Sequence, residues 1–187
     1  MARLFNRNFI VGVTGSIAAY KAAELTRSLI REGANVRVIM TEGACEFITP
    51  LTLQALSGHE VHTDLLDTEA EAAMGHIELA RWADALLIAP ASADSIARLV
   101  QGRADDLLGA CALATPAPVF VAPAMNQEMW AKQATQDNVQ TLVSRGIAML
   151  GPSSGSQACG DVGAGRLLEP DDIVSAVIAH LCTGALS

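Results

Sequence analysis

Ala85-Leu86-Leu87-Ile88-Ala89 is apolar at every position. A strand of that kind offers no face to water. It belongs in a sheet covered on both sides, as parallel sheets between helix layers are. Phe9–Thr14, Val36–Met40, Val119–Ala122 and Ile147–Leu150 read as the other strands. Helical segments lie between them. In Ile17–Arg31, Ala18, Ala22, Leu25 and Leu29 share one face, while Lys21, Glu24, Arg27 and Arg31 point away from it and Gly33 stops the helix. Thr49 caps a helix running to Leu56, with Pro50 at its first position and Gly58 past its end. Ser92–Val100, Asp105–Ala114, Thr135–Arg145 and Asp171–Leu181 complete the set, the last turning Ile173, Val174, Val177, Ile178 and Leu181 inward.

Strand and helix alternate without internal repeat. This predicts an α/β fold, a doubly wound parallel sheet in three α/β/α layers, as a single domain over residues 1–187. Ligands of such sheets sit beyond the carboxyl ends of the strands. The residues there are Gly15-Ser16-Ile17, Thr41-Glu42, Pro90-Ala91-Ser92-Ala93 and Pro123-Ala124-Met125-Asn126. They are small and polar, and small residues let a ligand approach the backbone. Pro152–Arg166 is expected to be a long glycine-rich loop, of the kind that serves as a lid or binding loop or else is disordered.

Composition removes several classes of function. The net charge is −8, and the 12 Lys and Arg are scattered, which argues against nucleic acid. No apolar run approaches the ~18 residues of a membrane span. Arg3 and Arg7 precede an apolar run, but Gly12, Thr14, Gly15 and Ser16 interrupt it, so it reads as strand and turn rather than secretory helix. Cys45, Cys111, Cys159 and Cys182 form no C-x-x-C pair, which predicts neither a disulfide framework nor a zinc site and fits a reducing, cytoplasmic setting. Cys45, Cys111 and Cys182 read as small, buried or half-buried hydrophobes. His59 and His62 lack partners for a metal and read as surface residues, so no metal site is expected. With only 17% charged residues, the surface has little polar cover, a hint of subunit contacts.

Four places carry chemistry. Gly15, Ser16 and Ile17 open the first helix, where backbone N–H groups hold a phosphate or merely make a tight turn. The dinucleotide fingerprint Gly-x-Gly-x-x-Gly is absent. His76 reads either as an acid–base group or as a structural histidine. Asn126 either orients an anion through its amide donors or serves turn geometry. Cys159, in a glycine-rich loop, is either a proton donor or an incidental thiol.

Taken together, Gly15-Ser16-Ile17-Ala18-Ala19-Tyr20-Lys21, His76, Pro90-Ala91-Ser92-Ala93 and Pro123-Ala124-Met125-Asn126 with Met129 resemble the homo-oligomeric flavin-containing cysteine decarboxylases. Ala158-Cys159-Gly160-Asp161, continuing to Arg166, is similar to the substrate-clamp loop of that family's phosphopantothenoylcysteine decarboxylase branch. The resemblance spans residues 9 to 181. It implies a Rossmann-like, flavodoxin-like sheet, bound FMN, and decarboxylation of 4′-phosphopantothenoylcysteine to 4′-phosphopantetheine in coenzyme A synthesis. The thiol is oxidised to a thioaldehyde, carbon dioxide leaves to give an ene-thiolate, and the product is then reduced again.

The same resemblance implies that Gly15, Ser16, Ile17, Thr41 and Ser92 contact the flavin or its phosphate, with Ala93 and Met125 near the ring. It implies that His76 assists decarboxylation in a neighbouring subunit's site, that Asn126 binds the substrate carboxylate and that Cys159 donates a proton. Ala158, Gly160 and Asp161 join the substrate clamp. Trimers, often assembled into a dodecamer, and a fused or separate synthetase half absent from residues 1–187 are further implications. Asp94 and Asp106 depart from the asparagines usual there, and either faces solvent or pairs with a base such as Arg103. Peptidyl-cysteine decarboxylases share much of this pattern but lack the Ala-Cys-Gly-Asp segment. Flavin-binding regulatory subunits usually carry acidic tails, unlike Thr183–Ser187 here. A flavin prenyltransferase would need neither Cys159 nor this pairing of His76 with Asn126.

Overall fold

The computed structural model describes residues 2–65, 75–158 and 160–184. Five parallel strands form one sheet: β1 (Asn8–Val13), β2 (Asn35–Met40), β3 (Ala85–Ala91), β4 (Val119–Pro123) and β5 (Ala148–Met149), in the order β2-β1-β3-β4-β5. This is the flavodoxin-like order, whose switch point lies between β1 and β3. Register is direct at that seam, with Val11 opposite Leu87 and Gly12 opposite Ile88.

The apolar strands are explained by two cores. Side chains alternate across a strand. Phe9, Val11, Val36, Val38, Leu87 and Phe120 point to one face, where they meet Leu25 and Leu29 of α1 (Lys21–Arg31), Leu53 of α3 (Pro50–Ser57), and Ile173 and Val177 of the last helix, α9 (Pro170–Gly184). Ile10, Ile39, Leu86, Ile88 and Val121 point to the other face. They meet Leu79 of α4 (His76–Trp82), Ile96 of α5 (Ala93–Gln101), Leu108 and Cys111 of α6 (Leu107–Ala114), and Leu142 of α8 (Gln133–Ser144). Two short helices, α2 (Glu42–Cys45) and α7 (Gln127–Ala131), follow β2 and β4 directly. No described helix is long and apolar enough to cross a membrane.

Local chemistry sets the helix bounds. Pro50 opens α3, and Gly58 closes it with φ 74°. Ser92 caps α5 and Asp106 caps α6 through backbone N–H groups. The predicted first helix is divided: Ser16 caps a 3₁₀ turn, Ile17–Tyr20, before α1 begins at Lys21.

Several expectations change. Pro152–Arg166 is largely an antiparallel hairpin, with β6 (Ser153–Ser156) paired to β7 (Val162–Arg166). Lys21 does not point away; its side chain is only 11% exposed and meets Glu169 at 2.9 Å. Cys182 is exposed, whereas Cys111 is buried and desolvation pushes its thiol up to about 12. His62 is half-buried, its backbone bridging the outer side of β2 through Met40 and Val38.

Candidate functional site

The carboxyl end of β1 meets the exit of β3 through Thr14. The Thr14 hydroxyl is buried, donates to the Pro90 carbonyl at 2.8 Å and accepts from the Ser92 amide at 2.9 Å. That pair of bonds fixes two chain crossings that both end in a helix start. At the first, Ser16 accepts from the Ala18 amide; at the second, Ser92 accepts from the Ser95 amide. Thr41 does the same for Ala44 beyond β2. Three hydroxyl-capped turns therefore converge on the switch point, and their N–H groups favour an anion. Gly15 allows the closest approach. A Cβ there would stand 3.2 Å from the Gly43 carbonyl, so the turns after β1 and β2 abut backbone to backbone.

Two cavities share Gly15 and Ser92 as a common wall. The first, about 410 Å³, is lined by Ser16, Ile17, Ala93, Met125, Asn126 and Met129 among others. The second, about 510 Å³, runs from Thr41 and Gly43 to Ser95 and Leu108. Both lie in the size range of small-molecule and cofactor sites. The acidic residues lining the second, Glu42, Asp64, Asp94, Asp105 and Asp106, are offset in part by Arg98. Arg98 holds Asp94 at 2.8 Å and Asp105 at 3.1 Å, with Asp106 at 3.9 Å. Asp94 and Asp106 thus pair with a base as expected, and that base is Arg98, while Arg103 pairs with Asp105. Asp106 also caps α6 at the Gly109 amide.

The hairpin closes the first cavity. Its anchor is Gly165, whose carbonyl accepts from the Met125 amide at 2.9 Å. Gly165 has φ 129°, and a Cβ there would fall 2.4 Å from the Met125 carbonyl oxygen. Gln157 adds a second tie, accepting from the Gln127 amide at 3.0 Å. These contacts place Asn126 with both ends of its amide held. Its Oδ1 accepts from the Glu128 amide at 2.8 Å, and its Nδ2 donates to Asp161 Oδ2 at 3.2 Å. The arrangement presents amide donors in a fixed direction, which suits a carboxylate.

Of the residues expected at the site, Gly15, Ser16, Ile17, Ser92, Ala93, Met125, Asn126 and Ala158 line the first cavity, and Thr41 lines the second. Asp161 reaches the site through Asn126, while Gly160 sits exposed in the hairpin turn. His76 lines neither of these cavities; it is half-buried at the start of α4, its carbonyl accepting from Cys111 Sγ at 3.5 Å. Cys159 lies outside the described residues. Sequence reasoning missed Thr14 and Gln157, and it gave no individual role to Lys21 at the end of the first motif or Arg166 at the end of the clamp loop. The last two line the first cavity and meet at Glu169, whose carboxyl Lys21 and then Arg166 hold below its ordinary value.

The model of a protein family described as Flavoprotein matches residues 3–182. The coenzyme A biosynthesis bifunctional protein CoaBC of Haemophilus influenzae is 58% identical over 175 residues, 94% of this chain and 44% of that protein. The chain therefore spans less than half the length of that relative. A mutant PPC decarboxylase complexed with pantothenoylaminoethenethiol superposes with a TM-score of 0.80 at 32% identity, covering 97% of this chain and 100% of that one. The FMN binding protein AtHal3 gives 0.79 at 34% identity, covering 94% and 96%.

Proposed function

The chain belongs to the Flavoprotein family, and from that premise we propose that it binds FMN and decarboxylates (R)-4′-phosphopantothenoyl-L-cysteine to 4′-phosphopantetheine in coenzyme A biosynthesis. The observation that carries the reading is Asn126, an amide clamped at both ends inside a cavity that shares a wall of Gly15 and Ser92 with a second one.

The residues fit a flavin mononucleotide. Ser16, Thr41 and Ser92 bring neutral hydroxyls and N–H groups to a phosphate, and Gly15 leaves the gap a Cβ would narrow. Ile17, Ala93, Met125 and Met129 offer apolar surface to a flat ring. Arg98 pairs with Asp94 and lies 3.9 Å from Asp106, which lowers the repulsion those carboxylates exert on the phosphate. FMN, when bound, supplies the reversible two-electron oxidation that lets a cysteine-derived carboxylate lose carbon dioxide.

The chain's own groups hold and orient the substrate. Asn126 binds the carboxylate, with Asp161 fixing its amide. The hairpin, tied by Gly165 and Gln157, covers the cavity. Ala158 and Gly160 join it as the substrate clamp, and Cys159 donates the proton of the closing reduction. His76 assists decarboxylation from a neighbouring subunit, within a trimer that assembles into a dodecamer. The protein works in the cytoplasm, with a phosphopantothenoylcysteine synthetase fused to it or separate.

The test is the product mass after purified flavin-bound protein meets 4′-phosphopantothenoylcysteine. Loss of carbon dioxide alone is expected. Loss of carbon dioxide with two hydrogens would show the oxidative half without the return step. An unchanged mass, with a cysteine-terminated peptide decarboxylated instead, would replace this reading. A second expectation concerns the lid. Gly165→Ala should lower kcat/KM about 100-fold, because a Cβ at that φ drives the hairpin off Met125, and displacements near 1 Å cost that much. Wild-type kinetics in that variant would show that the hairpin does not position substrate.

A further inference from the structure

The cationic end of the first cavity has no role in the site described so far. Lys21 and Arg166 are the charged groups among its described lining residues; every other lining side chain is uncharged. Both cations converge on the same carboxylate oxygen, with Glu169 Oε1 lying 2.9 Å from Lys21 Nζ and 2.7 Å from Arg166 Nη2. Two positive charges share one negative, so the trio carries a net positive charge.

Lys21 is costly where it stands. It opens α1, where a cation works against the helix dipole, and its side chain is 11% exposed. Glu169 offsets part of that cost, but it is shared with Arg166, so one carboxylate faces two cations. An anion arriving at the cavity balances the second. Arg166 follows Gly165, whose carbonyl holds the Met125 amide, so the pair is fixed to the segment that carries Asn126.

Resting on the function proposed above, we propose that Lys21 and Arg166, gathered by Glu169, form the subsite for the phosphate monoester of the 4′-phosphopantothenoyl substrate. A phosphate monoester carries close to two negative charges at neutral pH and three acceptor oxygens. Arg166 offers a planar pair of donors and Lys21 a point charge, the two usual ways of holding such a group. Glu169 gives up part of its pairing as the phosphate docks. The capped turns at Ser16, Thr41 and Ser92 remain for the flavin phosphate, and Asn126 for the carboxylate. Substrate then spans the cavity with one anionic end on Asn126 and the other on Lys21 and Arg166.

The experiment compares 4′-phosphopantothenoylcysteine with pantothenoylcysteine, its dephosphorylated form, on the flavin-bound protein. Wild type should prefer the phosphorylated compound in kcat/KM. Lys21→Met and Arg166→Gln should each raise KM for it and cut that preference about 10-fold, the usual weight of a charge-assisted hydrogen bond. Lys21→Arg should keep most of the preference. Arg166 is half exposed, so its variant remains informative if Lys21→Met misfolds. A preference unchanged in Arg166→Gln and Lys21→Arg, with both proteins folded, overturns the subsite. So does loss of bound FMN at intact preference, which assigns the cations to the flavin phosphate. Equal kcat/KM for the two compounds in wild type removes the subsite alone. Turnover of neither removes the proposed function with it.

Discussion

Asn126→Asp is expected to lower kcat/KM for 4′-phosphopantothenoylcysteine by at least 100- to 1000-fold, the range seen when one preorganised donor to a reacting anion is lost. The substitution is nearly isosteric and keeps the structural half of the residue. Asp caps a helix as well as Asn does, so the bond that Oδ1 accepts from the Glu128 amide survives and α7 keeps its start. What disappears is the Nδ2 donor. In its place a carboxylate faces Asp161 Oδ2, which the wild-type amide meets at 3.2 Å. Two carboxylates so close repel each other, and both repel the substrate's carboxylate. The pair resists double ionisation, so a carboxyl in it is protonated at higher pH than usual. Residual activity should therefore rise as pH falls and position 126 recovers an O–H donor. Flavin absorbance at wild-type stoichiometry would separate this effect from misfolding. Activity within threefold of wild type at neutral pH would remove Asn126 from carboxylate binding.

The parts of this architecture that were legible in sequence are those set by local periodicity. Ala85–Ala89 announces a strand covered on both faces because alternate residues fill two different cores, Leu87 in one and Ile88 in the other. The Pro50 start and Gly58 stop of α3 were readable for the same reason, since both act within one turn; Thr49 holds the cap position, but its hydroxyl meets that of Thr52 rather than a backbone N–H. The turns after the strands were legible as a site because a parallel sheet collects them at one edge. Other features depend on distant partners. The hairpin of Ser153–Ser156 and Val162–Arg166 carries Ser-Ser-Gly-Ser and Val-Gly-Ala-Gly-Arg, with almost no alternation to show a strand. Its place is decided by Gly165 against Met125 and by Gln157 against Gln127. Lys21 looked solvent-facing on a helical projection because Glu169, its partner, lies far along the chain. Asp94 and Asp106 looked like a defect in a phosphate site until Arg98, one turn along α5, was seen to hold both.

His76 raises the last question, because it lines neither of the two cavities that hold Asn126 and the hydroxyl-capped turns. It opens α4, beside the exposed Ile77, and α4 packs along α6, where Leu113 is also exposed. Ile77 and Leu113 are 42% and 59% exposed on these two packed helices, which suits contact with another copy of the chain. If a site takes Asn126 from one subunit and His76 from its neighbour, two inactive variants should complement each other. His76→Asn alone should lose about 100- to 10,000-fold in turnover, the usual weight of an acid–base group. Asn126→Asp alone should lose about 100- to 1000-fold or more for the reason given above. Co-expressed at equal levels with different tags and purified as mixed assemblies, they should regain activity. On statistical mixing about a quarter of sites receive an intact histidine from one chain and an intact asparagine from the other. Sites built within a single chain can never receive both. Mixed assemblies no more active than the parents, with both tags present, would remove His76 from the neighbouring subunit's site.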